Sequence, residues 1–246
     1  MSDTNAHGSK TGRPDGGPRN AGPRMIAIVG PYGSGKTTLL ESLLHMSGAT
    51  TRKGSLTAGN TVGDSSAEAR ARQMSTEPNT AVTTWLGDQY AFVDCPGSIE
   101  FLNDTLAVIA AADAAVVVTE PDPAKAQMLQ PFLKALDDAG VPHLVFVNKI
   151  DKAQGQIRDL LSDLQPMSAT PLVLRQVPIR ENGVVTGYVD LALERAHVYR
   201  EHAPSEVVEM PAGIADRERE ARFQMLEKLA EIQPITFTFL IASCSF

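Results

Sequence analysis

The chain has 246 residues, of which 43% are hydrophobic and 21% are charged, and its formal net charge is −7. Such a chain can bury one sizeable core with a small appended subdomain. Its negative charge argues against non-specific binding of DNA or other nucleic acid by the chain as a whole, although a local basic patch could still contact RNA. The sequence contains no run of about 18 apolar residues, so no membrane-spanning helix is predicted. Two cysteines are too few for a disulfide framework or a four-cysteine zinc site, so we expect a reducing, cytoplasmic location.

The order of predicted elements indicates an α/β fold. Residues 1–24 are rich in Gly, Pro, Asn and Arg, which predicts a disordered tail. A strand is predicted over 25–29 and a helix over 36–46, followed by a long polar stretch, 47–79, of the kind that is functional or mobile. The remaining predicted strands are 81–86, 90–93, 114–118, 141–147, 170–179, 184–191 and a last apolar run within 235–246. The remaining predicted helices are 101–112, 124–139, 154–164 and 214–231.

Apolar strands that alternate with helices predict a parallel sheet covered on both faces. Glycines mark the expected turns, at Gly87-Asp88 and at Asn182-Gly183, and Gly140 is expected to end the helix over 124–139. The pattern changes after Pro166, so we divide the chain into the tail 1–24, a main domain 25–167, a second segment 168–232, and a last strand or altered C-terminus 233–246.

The segment 30–37, Gly-Pro-Tyr-Gly-Ser-Gly-Lys-Thr, fits the phosphate-binding loop pattern Gly-x-x-x-x-Gly-Lys-Ser/Thr. The preceding strand and following helix favour that reading over a glycine-rich turn without a ligand. Backbone N–H groups and the helix N-terminus would surround phosphates, Lys36 would reach the β- and γ-phosphates, and the Thr37 hydroxyl would bind Mg²⁺. The predicted phosphate-binding residues are Gly30, Pro31, Tyr32, Gly33, Ser34, Gly35, Lys36, Thr37 and Thr38.

A second motif, Asp-x-x-Gly, ends the predicted strand over 90–93. The carboxylate of Asp94 could hold Mg²⁺, usually through water, and the Gly97 amide could sense a γ-phosphate. Taken alone, an ordinary Asp/Gly turn is the commoner explanation. Its position one hairpin beyond the phosphate-binding loop favours the nucleotide reading.

A third motif, Asn-Lys-x-Asp, ends the predicted strand over 141–147. Asp151 could accept two hydrogen bonds from guanine, Asn148 could tie the base loop to the phosphate-binding loop, and the Lys149 stem could cover one face of the base. Adenine cannot make the same pair of bonds, so a mispaired carboxylate would select against it. Taken alone, the tetrapeptide could equally be an ordinary polar segment at the end of a strand. Three such motifs in order, each at the carboxyl end of a strand, jointly indicate one site.

These motifs resemble those of translational GTPases, specifically elongation factor G and elongation-factor-G-like proteins, over about residues 25–232. The segment 182–191, Asn-Gly-Val-Val-Thr-Gly-Tyr-Val-Asp-Leu, resembles the insert that marks elongation factor G. The resemblance implies a P-loop NTPase three-layer sandwich with a mostly parallel sheet and a small α+β insert. It also implies GTP or GDP and Mg²⁺ as ligands, the ribosome as partner, and GTP hydrolysis during elongation, with Lys36, Asp94 and Gly97 as catalytic residues.

Two parts of the sequence, position 98 and the first switch region, depart from the family pattern. Ser98 stands where the family usually has a histidine that helps to position the attacking water, so we expect slow intrinsic hydrolysis. Residues 64–77 resemble the first switch region, and we expect Ser75 to supply its Mg²⁺-binding hydroxyl, with Thr76 as a close alternative. Arg70 and Arg72 are candidates for transition-state charge, although solvated or ribosome-contacting roles are commoner.

The chain also lacks the later domains of elongation factor G, so we expect a fragment or a frameshifted C-terminus, with residues 240–243 as a remnant of the guanine-side Ser-Ala loop. Two alternatives remain open at this stage. One is a GTP-binding switch with little hydrolysis, which Ser98 favours. The other is an ATPase of the transporter type, which shares the phosphate-binding loop but would need a signature sequence and a glutamate after Asp94 that this chain does not have.

Overall fold

A computed structural model describes residues 22–63, 66–72, 74–153, 155, 157–200, 203–231 and 238–242. The strands are β1 (Arg24–Val29), β2 (Asn79–Trp85), β3 (Asp88–Asp94), β4 (Ala114–Thr119), β5 (His143–Val147), β6 (Leu172–Leu174), β7 (Gln176–Glu181), β8 (Val184–Asp190), β9 (Arg195–Arg200), β10 (Ala203–Val208) and β11 (Thr238–Ala242). The α-helices are α1 (Lys36–Met46), α2 (Ala67–Arg72), α3 (Leu102–Ala111), α4 (Pro123–Ala126), α5 (Gln130–Ala139), α6 (Ile157–Leu164) and α7 (Ala212–Glu231).

Seven strands form the central sheet in the order β2-β3-β1-β4-β5-β11-β6. Every neighbouring pair is parallel except β2 and β3, which form an antiparallel hairpin at one edge. Parallel strands of this kind are buried on both faces, which is why their sequences are continuously apolar. The predicted α/β fold with a mostly parallel sheet is therefore confirmed.

Side chains of the sheet alternate between two helical layers. In β1, Ala27 and Val29 belong to the core cluster that includes residues of α3, α5 and α6, whereas Ile28 packs with Leu40 and Leu44 of α1 on the opposite face. At the other edge, Val173 of β6 packs against α7. The three layers leave the carboxyl ends of β1, β3 and β5 along one edge of the sheet, which is where all three predicted motifs begin.

The β2–β3 turn and the helix predicted over 124–139 differ from the structure. The β2–β3 turn is formed by Leu86 and Gly87, with φ of 52° and 87°, one residue earlier than expected, because Trp85 pairs with Asp88. The predicted helix over 124–139 is broken into α4, a short 3₁₀ turn and α5. Pro131 explains the break, since it offers no N–H and its ring crowds the carbonyl one turn earlier. Gly140, in the left-handed conformation, ends α5 as expected.

A second, antiparallel sheet has the order β10-β9-β8-β7. The expected turn at Asn182-Gly183 joins β7 to β8, and both residues have positive φ. The strand predicted over 170–179 is instead two strands in different sheets, separated at Arg175, which pairs with Asp190 at 2.9 Å. Sequence reasoning missed β9 and β10, because their charged residues obscure the alternation of apolar and polar side chains that predicts a strand.

The limits of the insert, 168–232, remain a prediction, and β6 within that range pairs with β11 in the central sheet. The apolar run near the end of the chain contributes β11, which lies between β5 and β6. Ser243 of the expected Ser-Ala remnant lies outside the described residues, as do residues 1–21 of the predicted tail. Across the described ranges, no helix is long and apolar enough to cross a membrane.

Candidate functional site

The loop between β1 and α1 packs directly onto the ends of β4 and β5. Gly30 has a φ of 137°, and a Cβ added there would lie 2.2 Å from the carbonyl oxygen of Val118. Gly35 has a φ of 97°, and its added Cβ would lie 2.2 Å from Nδ2 of Asn148. Both positions therefore combine a left-handed backbone with no space for a side chain. This explains why glycine occupies these two positions.

Lys36 begins α1, and its side chain folds back across the loop. It is buried, and its Nζ donates hydrogen bonds to the carbonyl oxygens of Gly30, at 3.0 Å, and Pro31, at 2.9 Å. Gly97 lies opposite, where an added Cβ would be 2.4 Å from Nζ of Lys36 and 2.6 Å from the backbone N of Tyr32. The structure thus brings the second motif against the phosphate-binding loop with a buried ammonium between them.

Three oxygen-bearing side chains from separate segments meet beside this ammonium. Oγ1 of Thr37 donates to Oδ2 of Asp94 at 2.6 Å and lies 3.4 Å from Oγ of Ser75. All three residues are buried. Hydroxyl and carboxylate oxygens are the donors that Mg²⁺ prefers, so this donor set fits that ion. Of the two hydroxyls considered for the first switch region, Ser75 lines the cleft described below and Thr76 does not.

The loop after β5 is tied to the phosphate-binding loop by two side chains. Nδ2 of Asn148 donates to the carbonyl oxygen of Ser34 at 2.9 Å, and Nζ of Lys149 donates to that of Gly33 at 2.7 Å. Lys149 has a left-handed backbone, with a φ of 55°, which turns the chain into the short 3₁₀ segment that contains Asp151. The side chain of Asp151 is exposed. The loop after β5 and the phosphate-binding loop, which are distant in the sequence, therefore form one connected side of the site.

These segments enclose a cleft of about 250 Å³. The predicted site residues that line it are Tyr32, Gly33, Gly35, Lys36, Thr37, Thr38, Ser75, Gly97 and Lys149. The predicted residues that do not line it are Gly30, Pro31, Ser34, Asp94, Asn148 and Asp151. Leu56 and Met74, which sequence reasoning did not select, complete the wall. Within the described ranges, His, Cys, Asp and Glu side chains form no group of three or more that could hold a metal.

The family model for the elongation factor Tu GTP binding domain matches residues 22–238. The chain belongs to this family of GTP-binding domains. The resemblance to translational GTPases that the three motifs indicated is therefore confirmed. Guanine-nucleotide binding is the property that this family implies for the cleft.

Named relatives of this GTP-binding domain are elongation factors of the G type. The chain is 46% identical over 214 residues to an elongation factor G-like protein of Synechocystis sp., covering 87% of this chain and 32% of the relative. It is 28% identical over 213 residues to elongation factor G 2 of Streptomyces coelicolor, covering 86% of this chain and 31% of the relative. The chain thus spans about a third of the length of these relatives.

A solved crystal structure of a Thermus thermophilus protein has a similar fold. It superimposes with a TM-score of 0.76 at 26% sequence identity, covering 90% of this chain and 37% of that protein. The similarity therefore extends over nine tenths of the chain.

Glu120 is a residue of this GTP-binding domain that sequence reasoning missed. It follows β4, and its carboxylate accepts hydrogen bonds from Nζ of Lys149 at 2.5 Å and Nζ of Lys125 at 2.7 Å. Burial alone would raise the pKa of Glu120, but the bonds and charges of the two lysines outweigh burial and hold that pKa below its usual value. Glu120 thereby fixes Lys149 in place. An acidic residue directly after a buried strand was the signal available in the sequence.

The two arginines considered for transition-state charge lie outside the cleft. Arg72 forms an exposed ion pair with Glu68 on α2, at 2.9 Å, and Arg70 is exposed on the same helix. Ser98, the residue in place of the usual histidine, is half-buried and donates to Oε2 of Glu100 at 3.1 Å. In this arrangement the cleft is lined by other residues, and these three side chains lie outside its wall.

Cys95 lies within the second motif and is fully buried. Burial, followed by the neighbouring charge of Asp94, raises the pKa of its thiol to about 12. The thiol stays protonated below that pH, so we expect no reaction with an aromatic disulfide reagent at about pH 8 in the folded protein. The measurement uses a Cys244→Ser variant, in which Cys95 is the sole thiol, before and after unfolding in urea. Rapid modification of the folded variant would contradict the prediction.

Proposed function

We propose that this chain binds GTP and GDP together with Mg²⁺ and hydrolyses GTP to GDP and phosphate. The observation that carries the proposal is the pair of hydrogen bonds from Asn148 and Lys149 to the backbone of Ser34 and Gly33. These bonds join a guanine-type recognition segment to a phosphate-binding loop, so one ligand could engage both. Asp151 would then accept hydrogen bonds from the base.

Five residues in or beside the cleft have proposed roles. The ammonium of Lys36 would exchange its bonds to Gly30 and Pro31 for phosphate oxygens, where it would stabilise negative charge as the terminal phosphate leaves. Thr37, Asp94 and Ser75 would hold Mg²⁺, which neutralises phosphate charge when bound. The Gly97 N–H would donate to the terminal phosphate. A Cβ at position 97 would lie 2.4 Å from Nζ of Lys36, so a larger residue would block this approach.

A competition titration tests the nucleotide part of the proposal. Purified protein would be saturated with a fluorescent GDP analogue and titrated with GTP, GDP or ATP at fixed Mg²⁺. We expect GTP and GDP to displace the analogue at micromolar concentrations or below, and ATP to fail at a roughly thousandfold higher concentration. Displacement by ATP, or absence of binding, would contradict the guanine assignment.

A role on the ribosome during elongation, and a cytoplasmic location, are the finer parts of the proposal. The support comes from relatives named elongation factor G, of which this chain spans about a third. Pelleting of the chain with purified ribosomes would test it, with a non-hydrolysable GTP analogue compared with GDP. We expect more chain in the pellet with the GTP analogue, because the terminal phosphate orders the switch segments in proteins of this mechanism.

Ser98 should make intrinsic hydrolysis slow. A serine hydroxyl is shorter than an imidazole, and here it is engaged by Glu100. We expect Ser98→His to raise the single-turnover rate of GTP hydrolysis by about tenfold or more, in the range that positioning groups contribute. Ser98→Ala serves as the control and should leave the rate within about twofold. An unchanged rate in Ser98→His would show that this position does not limit the reaction.

A further inference from the structure

A buried carboxylate on α1 holds a loop that sequence reasoning left unassigned. Glu41 is 1% exposed, and its two carboxylate oxygens accept separate backbone N–H groups. Oε2 accepts from the N–H of Gly54 at 2.8 Å, and Oε1 accepts from the N–H of Val62 at 2.5 Å. One side chain therefore binds both ends of the segment 54–62, which is called the clasped loop below.

The clasped loop is also closed on itself. Oδ1 of Asn60 accepts from the N–H of Ser55 at 2.8 Å, beside the attachment to Glu41. A Cβ added at Gly54 would lie 2.7 Å from Oε2 of Glu41 and 2.7 Å from the carbonyl oxygen of Asn60. The close approach of Glu41 thus depends on glycine at position 54, as expected of a fitted contact rather than a chance one.

The clasped loop forms part of the wall of the cleft. Leu56, two residues after Gly54, lines the cleft together with Lys36 and Thr37. Glu41 lies four positions after Thr37 on the same face of α1, and both side chains are buried. The helix that carries the phosphate-binding lysine therefore also carries the anchor of the opposite wall.

We propose that Glu41 is a positioning residue that fixes the clasped loop against α1 and thereby slows the release of bound nucleotide. The inference rests on the proposed function for its ligand, a guanine nucleotide. Its physical basis is that a carboxylate makes stronger hydrogen bonds to backbone N–H groups than neutral acceptors do. Without these two bonds, Leu56 would no longer be held at the cleft, and the nucleotide would lose one wall.

Two variants break the clasp from opposite sides. Glu41→Gln keeps the shape of the side chain but presents an NH₂ group to one of the two N–H donors. Gly54→Ala places a methyl group against Glu41 and Asn60. Glu68→Gln is the matched control, because it removes the same charge from an exposed side chain on α2 whose ion pair is with Arg72, outside the clasped loop.

Two readouts separate the clasp from its effect on nucleotide. Trypsin cleavage after Arg52 or Lys53, directly before Gly54, reports release of the loop without any nucleotide. The dissociation rate of a fluorescent GDP analogue reports the effect on the cleft. We expect both rates to rise by about tenfold or more in each variant, and to stay within about twofold in the control. The double variant should be no faster than the faster single variant, since both changes release the same loop.

Each outcome is decisive. Unchanged cleavage, or faster cleavage with an unchanged dissociation rate, would overturn the inference, as would additive effects in the double variant. Failure of the unmodified chain to bind the GDP analogue would instead contradict the proposed function, and the cleavage comparison would still test the clasp. If Glu41→Gln does not fold, Gly54→Ala gives the same two readouts from the loop side.

Discussion

Replacing Lys36 with methionine is expected to lower the single-turnover rate of GTP hydrolysis by about 10²–10³-fold, or roughly 3–4 kcal/mol of transition-state stabilisation. Methionine keeps the apolar stem but removes the ammonium. In the structure this ammonium lies beside Gly97, and both residues line the cleft. The nucleotide would also bind more weakly, because phosphate charge would face a neutral side chain. Rate and affinity are measured separately, by hydrolysis at saturating GTP and by titration with the fluorescent GDP analogue.

Lys134→Met is the matched control for this substitution. Lys134 is exposed on α5 and forms a surface ion pair with Asp138 at 2.7 Å, so its loss should leave hydrolysis unchanged. Lys36→Met also removes two hydrogen bonds within the loop, so thermal unfolding of both variants is compared first. Hydrolysis at the unmodified rate in a folded Lys36→Met variant would exclude the proposed role of the ammonium.

The parts of the fold that could be predicted from the sequence are those set by local pattern. The helix over 36–46 and the apolar strands needed only periodicity, and Asn182-Gly183 needed only the preference of these residues for positive φ. The break at Arg175 could not be predicted in this way. It depends on an ion pair with Asp190 in another strand, and on the pairing of β6 with the distant β11.

The residues of the candidate site also differ in whether local sequence could predict them. Lys36, Asp94 and Asn148 belong to short motifs whose spacing is imposed by one strand end and one turn, so the sequence alone could indicate them. Glu41 and Glu120 act through partners that lie 13 to 29 positions away in the sequence, at Gly54, Val62 and Lys149. The local sequence marks these glutamates only weakly, by the apolar helix face on which Glu41 lies and by the buried strand that directly precedes Glu120.

Replacing Asp151 with asparagine is expected to change which base is bound. Guanine presents two N–H donors to a carboxylate, whereas an amide offers one oxygen and one NH₂ group, so one donor would face another donor. We expect affinity for GDP to fall by about 10²–10⁴-fold. Xanthine carries a carbonyl in place of the exocyclic amine, so the amide can pair with it, and affinity for xanthosine diphosphate should rise. Competition against the fluorescent GDP analogue measures the first change, and direct calorimetry with xanthosine diphosphate measures the second.

Asp163→Asn is the control for the exchange at position 151. Asp163 is exposed on α6, so the same loss of charge there should change neither affinity. A smaller and equal loss for both nucleotides in Asp151→Asn would mean that the carboxylate acts only through its charge. A reversal of preference, by contrast, requires direct hydrogen bonds between position 151 and the base. Because Asp151 is exposed and adjoins Asn148 and Lys149, which are bonded to the phosphate-binding loop, reversal is the outcome that the geometry favours.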